Sequence, residues 1–209
     1  MLTFRRAGYG DLDEISRVSS EAFFDYDFYS FFEDDPDKRW DFIYEMQRIC
    51  LLVNLKRDQV FVGEEDGKIV TVIALQEPGK KQAGFFEYFS SGVTKVIGEF
   101  GFFRVLSWFC MDMTCEKPIE KLRERTKNYY YLHNFTVRKD LHGEGRGSRA
   151  IREFIYPYIK KKGGGTLTLI TNSERNVRFY LRNGFKCYHK GRVMYNGRWL
   201  GNWAFRKKL

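Results

Sequence analysis

The chain switches between two periods of apolar spacing. Runs rich in β-branched and aromatic residues read as strands: LTFRRA at the start, then QVFVGEE, KIVTVIAL, YYYLHNFTV, TLTLIT, KCYHKGRVMY and RWLGNWAFRK. Asp66-Gly67 lies between the second and third, and Asn196-Gly197 between the last two. Both dipeptides suit two-residue hairpin turns, whose central residues take positive φ. Elsewhere a spacing near 3.6 predicts helices. GDLDEISRVSSEAF aligns Leu12, Ile15, Val18 and Ala22, with acids in its first turn. PDKRWDFIYEMQRICLLVNLK opens on Pro36 and spaces Trp40, Ile43, Tyr44, Ile49 and Leu52 for a helix. Ala150, Ile151, Phe154, Ile155 and Tyr158 line one face of another, which Pro157 is expected to kink or end early. Thr171 to Glu174 fits a capping box and Asn183-Gly184 a helix end, so residues 173–183 read as a short helix.

Residues 79–127 are too long for a plain connection. The piece EYFSSGVTKVIGEFGFFRVLSWFCM is apolar and aromatic, and EKPIEKLRERTK reads as an exposed helix. The whole is expected to be a helical insertion between two strands. No repeat, low-complexity tract or linker divides the chain, so residues 1–209 read as a single domain.

Composition adds limits. Apolar content of 43% and charge of 30% fit an ordinary soluble globular protein, and 18% aromatic residues predict large core or pocket side chains. The start lacks an apolar signal core, and VIGEFGFFRVLSWFCM is broken by Glu99 and Arg104. A cytoplasmic protein without a membrane partner is expected. Cys50, Cys110, Cys115 and Cys187 form no CxxC pair and are expected as reduced thiols, mostly buried, with no metal. Net charge of +9 favours an anionic partner, either nucleic acid or a phosphate-bearing cofactor, against a plain solvated Lys/Arg surface. The basic runs are no longer than Lys160–Lys162 and Arg206–Lys208, which gives a nucleic-acid role little support.

The stretch LHNFTVRKDLHGEGRGSRAI runs from a strand into a helix through Gly143, Gly145 and Gly147. Glycines there leave amide N–H groups uncovered at the positive end of a helix dipole, where a phosphate or pyrophosphate can sit. Gly145 to Ala150 fits a relaxed dinucleotide fingerprint, but only 59 residues follow, too few to complete a doubly wound sheet. A merely flexible loop fits the regular alternation poorly, and no Gly-Lys-Ser/Thr ends the loop as a phosphate-loop ATPase requires.

A third reading uses more of the chain. Phe135-Thr136-Val137, then His142-Gly143-Glu144-Gly145-Arg146-Gly147, and later Asn176-Val-Arg-Phe179-Tyr180-Leu-Arg-Asn-Gly184-Phe185 together resemble the two signatures of the GNAT superfamily of N-acetyltransferases. His142 stands where that family usually has Gln or Arg. The resemblance implies a mixed α/β fold of about seven mostly antiparallel strands with helices on both faces. It also implies direct acetyl transfer from acetyl-CoA to a primary amine. The cofactor residues it implies are Phe135, Thr136 and Val137 along the pantetheine arm, His142 through Ser148 (with Glu144, Gly145 and Arg146) around the pyrophosphate, and Asn176, Phe179 and Tyr180. Tyr180 is the candidate acid for the leaving thiolate, against a packing role. His133 is the candidate base, against a hydrogen-bonded core histidine. Strand alternation puts Tyr131, His133, Phe135 and Val137 on one face. Arylalkylamine N-acetyltransferases carry His-x-His here, and Tyr131-Leu-His133 keeps the second. Asp25, Asp27, Glu33, Asp34, Asp35 and Asp37 would either attract a cationic amine or cap and solvate around Pro36. The resemblance does not choose among a small amine, an amino-sugar antibiotic, a polyamine, a peptide N-terminus and a protein lysine as acceptor, and oligomeric state is open. The competing class is a non-catalytic acyl-CoA binder or a basic nucleic-acid-binding protein.

Overall fold

The computed structural model of the chain describes residues 1–80 and 82–209. Its strands are β1 (Thr3–Arg6), β2 (Val60–Glu65), β3 (Lys68–Gln76), β4 (Tyr129–Val137), β5 (Thr166–Thr171), β6 (Lys186–Tyr195) and β7 (Arg198–Lys208). They form one sheet in the order β1-β2-β3-β4-β5-β7-β6. All neighbours are antiparallel except β4 and β5, which pair only over Tyr129–Tyr131 against Thr166–Thr168. Beyond that point both strands run on unpaired with each other, and the sheet opens into a wedge. Both predicted hairpin turns form, with Asp66, Gly67, Asn196 and Gly197 all at positive φ.

The helices are α1 (Leu12–Phe23), α2 (Asp27–Ser30), α3 (Pro36–Leu55), α4 (Phe85–Phe89), α5 (Val93–Phe100), α6 (Phe102–Arg125), α7 (Arg146–Arg149), α8 (Tyr156–Lys161) and α9 (Glu174–Arg182). One sheet face packs Phe61, Ile73, Leu75 and Leu132 against Ile151, Ile155 and Ile159. The other packs Val60, Val62, Ile69 and Val72 against Ile15 and Val18 of α1 and Leu51 of α3. A further core joins Phe28, Phe42, Met46 and Ile49 to Val96, Trp108 and Met111 of the 79–127 insertion. That insertion is helical, as its pattern predicts, but EKPIEKLRERTK is not a separate exposed helix. It is the second half of α6, and Glu116, Pro118, Ile119 and Leu122 are buried there.

Three local expectations change. Pro157 does not end its helix where it stands. A π-helical turn over Ala150–Ile155, in which the Tyr156 N–H reaches the Ile151 carbonyl, precedes it and the helix continues to Lys161. The wider turn shifts the hydrogen-bond register just before the residue that lacks an N–H. The capping box at Thr171–Glu174 is absent because β5 extends through Thr171. Ser173 is the N-cap, and the Thr171 hydroxyl instead accepts from the Ser173 N–H and from Asn176 Nδ2. The thiols divide evenly: Cys50 and Cys115 are buried, Cys110 and Cys187 exposed.

The fourth change bears on the site. In β4, Asn134 pairs with Ala74 and Leu132 with Leu75, which leaves His133 as an inserted residue in a β-bulge. Strict alternation fails there. Tyr131, His133, Asn134 and Thr136 turn towards α1, α3 and α6, as their bonds to Glu116, Gln47 and Ser19 show. Phe135 and Val137 turn to the opposite face, where Phe135 stacks on Phe179 and Val137 abuts Gly147. His133 therefore does not share a face with Phe135 and Val137. No helix among the described residues is long and apolar enough to cross a membrane.

Candidate active site

The wedge between β4 and β5 continues into a cleft of about 350 Å³. Its floor is Phe135, Thr136 and Val137; its rim is the glycine loop; α9 closes the far side with Asn176, Phe179 and Tyr180. Every cofactor-binding residue expected from the sequence lines this cleft except Glu144, whose exposed side chain pairs with Arg146.

The three glycines serve two different needs. Gly143 and Gly145 have φ of 89° and 80°, a conformation that side chains resist, and a Cβ on either would meet nothing within 4 Å. Gly147 sits in ordinary helical backbone. A Cβ there would lie 3.2 to 3.3 Å from Phe179 and Val137, so what approaches closely is the protein itself. Gly143, Glu144 and Gly145 donate their N–H groups to no partner among the described residues. Gly143 and Gly145 line the cleft at the start of a helical stretch that runs to Lys161, an arrangement suited to an anion. The amides, the bare glycines and the neighbouring Arg175 and Arg182 fit the pyrophosphate of a CoA thioester.

His142 is tied to the fold. Its Nε2 donates to the Val137 carbonyl at 2.9 Å, since a carbonyl only accepts, and its Nδ1 is left to accept from Arg175 at 3.4 Å. Arg146 is held by Glu65 at 2.6 Å and by Glu144, and Ser148 Oγ accepts from Asn183 Nδ2 at 3.1 Å.

Tyr180 stands at the inner end of the cleft, packed by Phe179, Phe185 and Phe205. Burial, with a smaller push from nearby Tyr26, raises its phenol above the ordinary tyrosine value. Behind it lies a chamber of about 130 Å³, which shares Phe23, Tyr26, Phe135, Asn176 and Tyr180 with the cleft. His133 lines this chamber and not the cleft. Its Nε2 is 3.8 Å from Glu116 Oε1, which also accepts from the Tyr131 hydroxyl at 2.6 Å.

The chamber contains two carboxylates that reading the sequence missed, Asp112 and Glu116. Asp112 has no hydrogen bond or ion pair among the described residues. Burial first, and then Glu116, hold its pKa well above the usual carboxylate range. Asn134 Oδ1 and Trp108 Nε1, on the same walls, are buried without partners. The visible signal was positional: the two acids are four apart in a helix whose buried side includes Trp108, Met111 and Cys115. The acidic patch near Pro36 is instead occupied locally. Asp35 caps α3, Glu33 pairs with Arg104 at 2.5 Å, Asp34 faces Arg198 at 3.6 Å and Asp25 pairs with Lys139 at 2.7 Å. No cluster of metal-ligating side chains occurs among the described residues.

A model of the acetyltransferase (GNAT) family matches residues 16–185. Solved structures share the fold at low identity. A polyamine N-acetyltransferase of Drosophila melanogaster that forms N-acetylagmatine is 15% identical, with all of both chains covered and a TM-score of 0.62. The PaiA N-acetyltransferase of Thermoplasma acidophilum, solved with coenzyme A, is 15% identical over 100% of this chain and 99% of its own, at 0.58. The C-terminal condensation domain of Ebony, in complex with beta-alanyl-dopamine, is 12% identical over 100% and 99%, at 0.66. No curated protein sequence matches the chain.

Proposed function

The chain belongs to the acetyltransferase (GNAT) family, and from that premise we propose that it transfers an acetyl group directly from acetyl-CoA to a primary amine. One observation carries the reading. A single wedge joins an unpaired amide cradle at a helix start to a buried tyrosine, with an acid-lined chamber behind it.

Acetyl-CoA, when bound, supplies an acetyl group activated as a thioester. The chain's own residues do the rest. Gly143, Glu144 and Gly145 offer backbone N–H groups to the pyrophosphate, so Glu144 contributes through its amide alone. Phe135 to Val137 lie on the β4 edge that has lost β5 as a partner, and that edge can pair with an extended arm. Tyr180 keeps its proton at neutral pH and is the donor placed for the leaving thiolate. His133, set back in the chamber, draws the ammonium proton through water and is steadied by Glu116. The Drosophila enzyme's N-acetylagmatine product and the archaeal protein's coenzyme A support the same acceptor and donor chemistry here.

Calorimetry with acetyl-CoA, followed by thiol release against a panel of primary amines, tests the reading. Binding of acetyl-CoA with acceptor-dependent release is expected. A protein that ignores acetyl-CoA and binds nonspecific duplex DNA in a salt-sensitive way would overturn it.

A further inference from the structure

The chamber behind Tyr180 has two ends. Phe135, Asn176 and Tyr180 belong to both the chamber and the cofactor cleft. At the other end, Asp112, Glu116 and His133 belong to both the chamber and a second cavity of about 390 Å³, which opens between α4, α5 and α6. The two shared sets have no residue in common, so the reacting end and the acidic end are distinct, and His133 at the acidic end acts on the reacting amine only through water.

Among the described residues, no lysine or arginine lines the chamber. Glu116 is engaged by Tyr131 at 2.6 Å, by Gln82 Nε2 at 2.8 Å and by His133 at 3.8 Å. Asp112 beside it has neither a hydrogen bond nor an ion pair among the described residues. Independently of these acids, Asn134 is 7% exposed and its Oδ1 has no partner. Asn134 Nδ2 donates to Gln47 Oε1 at 2.8 Å, and Gln47 Nε2 donates to the Tyr29 hydroxyl at 2.5 Å. In that arrangement Oδ1 is left without a partner in the chamber wall. An unsatisfied buried acceptor and an unpaired carboxylate ask for the same thing, a ligand that brings several N–H donors and positive charge. Tyr29 and Trp108 add aromatic walls that suit a cation.

The cation held there is not the nitrogen that reacts. Carboxylates beside an ammonium favour its charged form, and a protonated nitrogen is no nucleophile. We propose that the acceptor is a linear amine with a second positive charge, whose distal cation sits between Asp112, Glu116 and Asn134 while its primary amine reaches the Tyr180 end. The identity of the reacting nitrogen rests on the acetyl-transfer reading; the cation site does not.

The test is a calorimetric comparison of 1,5-diaminopentane with n-hexylamine, in which a methyl group replaces the second ammonium. The cavity beyond the acids is lined by Phe102, Val105, Leu106 and Phe109, so apolar burial alone would favour hexylamine. The diamine is expected to bind at least tenfold more tightly. Equal binding, or tighter hexylamine, overturns the proposal, and this comparison needs no variant. Asp112→Asn should reduce the preference below threefold, and Glu116→Gln should lower it at least threefold if the first variant does not fold. A preference that survives in the folded variants places the diamine elsewhere and overturns the site. Acetyl-CoA titrated into the same wild-type sample separates the two claims. Loss of acetyl-CoA binding alone defeats the transferase reading, whereas loss of diamine preference alone defeats this one.

Discussion

Tyr180 and Asp112 are both pushed towards their neutral forms, with opposite consequences for the reading of the site. Tyr180 is held in its neutral form by burial, so it is a proton donor throughout the neutral range. If it protonates the leaving thiolate, Tyr180→Phe should lower kcat by roughly ten- to a thousand-fold and leave acetyl-CoA affinity nearly unchanged. A packing role predicts a nearly neutral change, because phenylalanine fills the same space among Phe179, Phe185 and Phe205. Asp112 is also pushed towards its neutral form, here against the charge its proposed ligand needs. The groups facing it are Glu116 and Cys115 on its own helix, Tyr29, Cys50, Tyr88, Tyr131 and His133. A carboxyl raised by folding takes up a proton as the chain folds. Its effect on stability is nil below the ordinary carboxylate range, about 4, and becomes more unfavourable as pH climbs towards the raised value. Asp112→Asn, always neutral, should therefore raise the melting temperature at pH 7.5 and leave it unchanged at pH 3.5. The scale is roughly 2–4 °C per kcal/mol for a chain of this size. An equal shift at both pH values would mean that packing, not ionisation, sets the difference.

The glycine loop acts as one element, and its members predict different losses. Gly145→Glu puts a side chain and a negative charge at an amide that faces the cleft, so acetyl-CoA affinity should fall at least a hundredfold by calorimetry. The positive φ adds about 1–2 kcal/mol of strain, so the melting temperature is read alongside. A folded variant with unchanged affinity would remove the phosphate from this loop. The strands, the loop and the short helix at α9 were legible because each depends on local chemistry: β-branched runs, Asp-Gly and Asn-Gly turns, and glycine where φ is positive. The bulge at His133 was not. YYYLHNFTV mixes aromatic or apolar residues with His133, Asn134 and Thr136 on both faces, so its pattern sets no strict alternation for a one-residue insertion to break. Of the two readings of the acids near Pro36, capping and solvation is the one that their contacts fit. Asp25 to Asp37 are crowded in sequence but find caps and arginines at the surface, while Asp112 and Glu116 look like ordinary helix acids until α6 is seen to be buried on that side.

At the scale of the whole molecule, the site draws on distant parts of the chain. The cleft and its chamber combine Phe23 at the end of α1, Tyr26 after it, Gln47 and Cys50 of α3, Asp112 and Glu116 of the insertion, β4, and Tyr180 of α9. The insertion shares its core with α2, α3 and Leu200 of β7, so α4–α6 have no separate interior. The proposal of a single domain then has a thermal consequence. Unfolding should be one transition, and any ligand in the cleft should stabilise all of it. Acetyl-CoA at a hundredfold excess over its dissociation constant contributes about 2.7 kcal/mol, which corresponds to a rise of roughly 5–11 °C. Nonspecific duplex DNA at physiological salt should give no comparable rise, because a +9 surface without a shaped site binds weakly once counterions compete. Two transitions in calorimetry, with acetyl-CoA moving only one, would show that the insertion unfolds independently. The chamber would then be an interface between two units, and the acidic end could open without disturbing the cofactor cleft. One shifted transition requires the opposite, that the cation site and the glycine loop are held by the same cooperative structure.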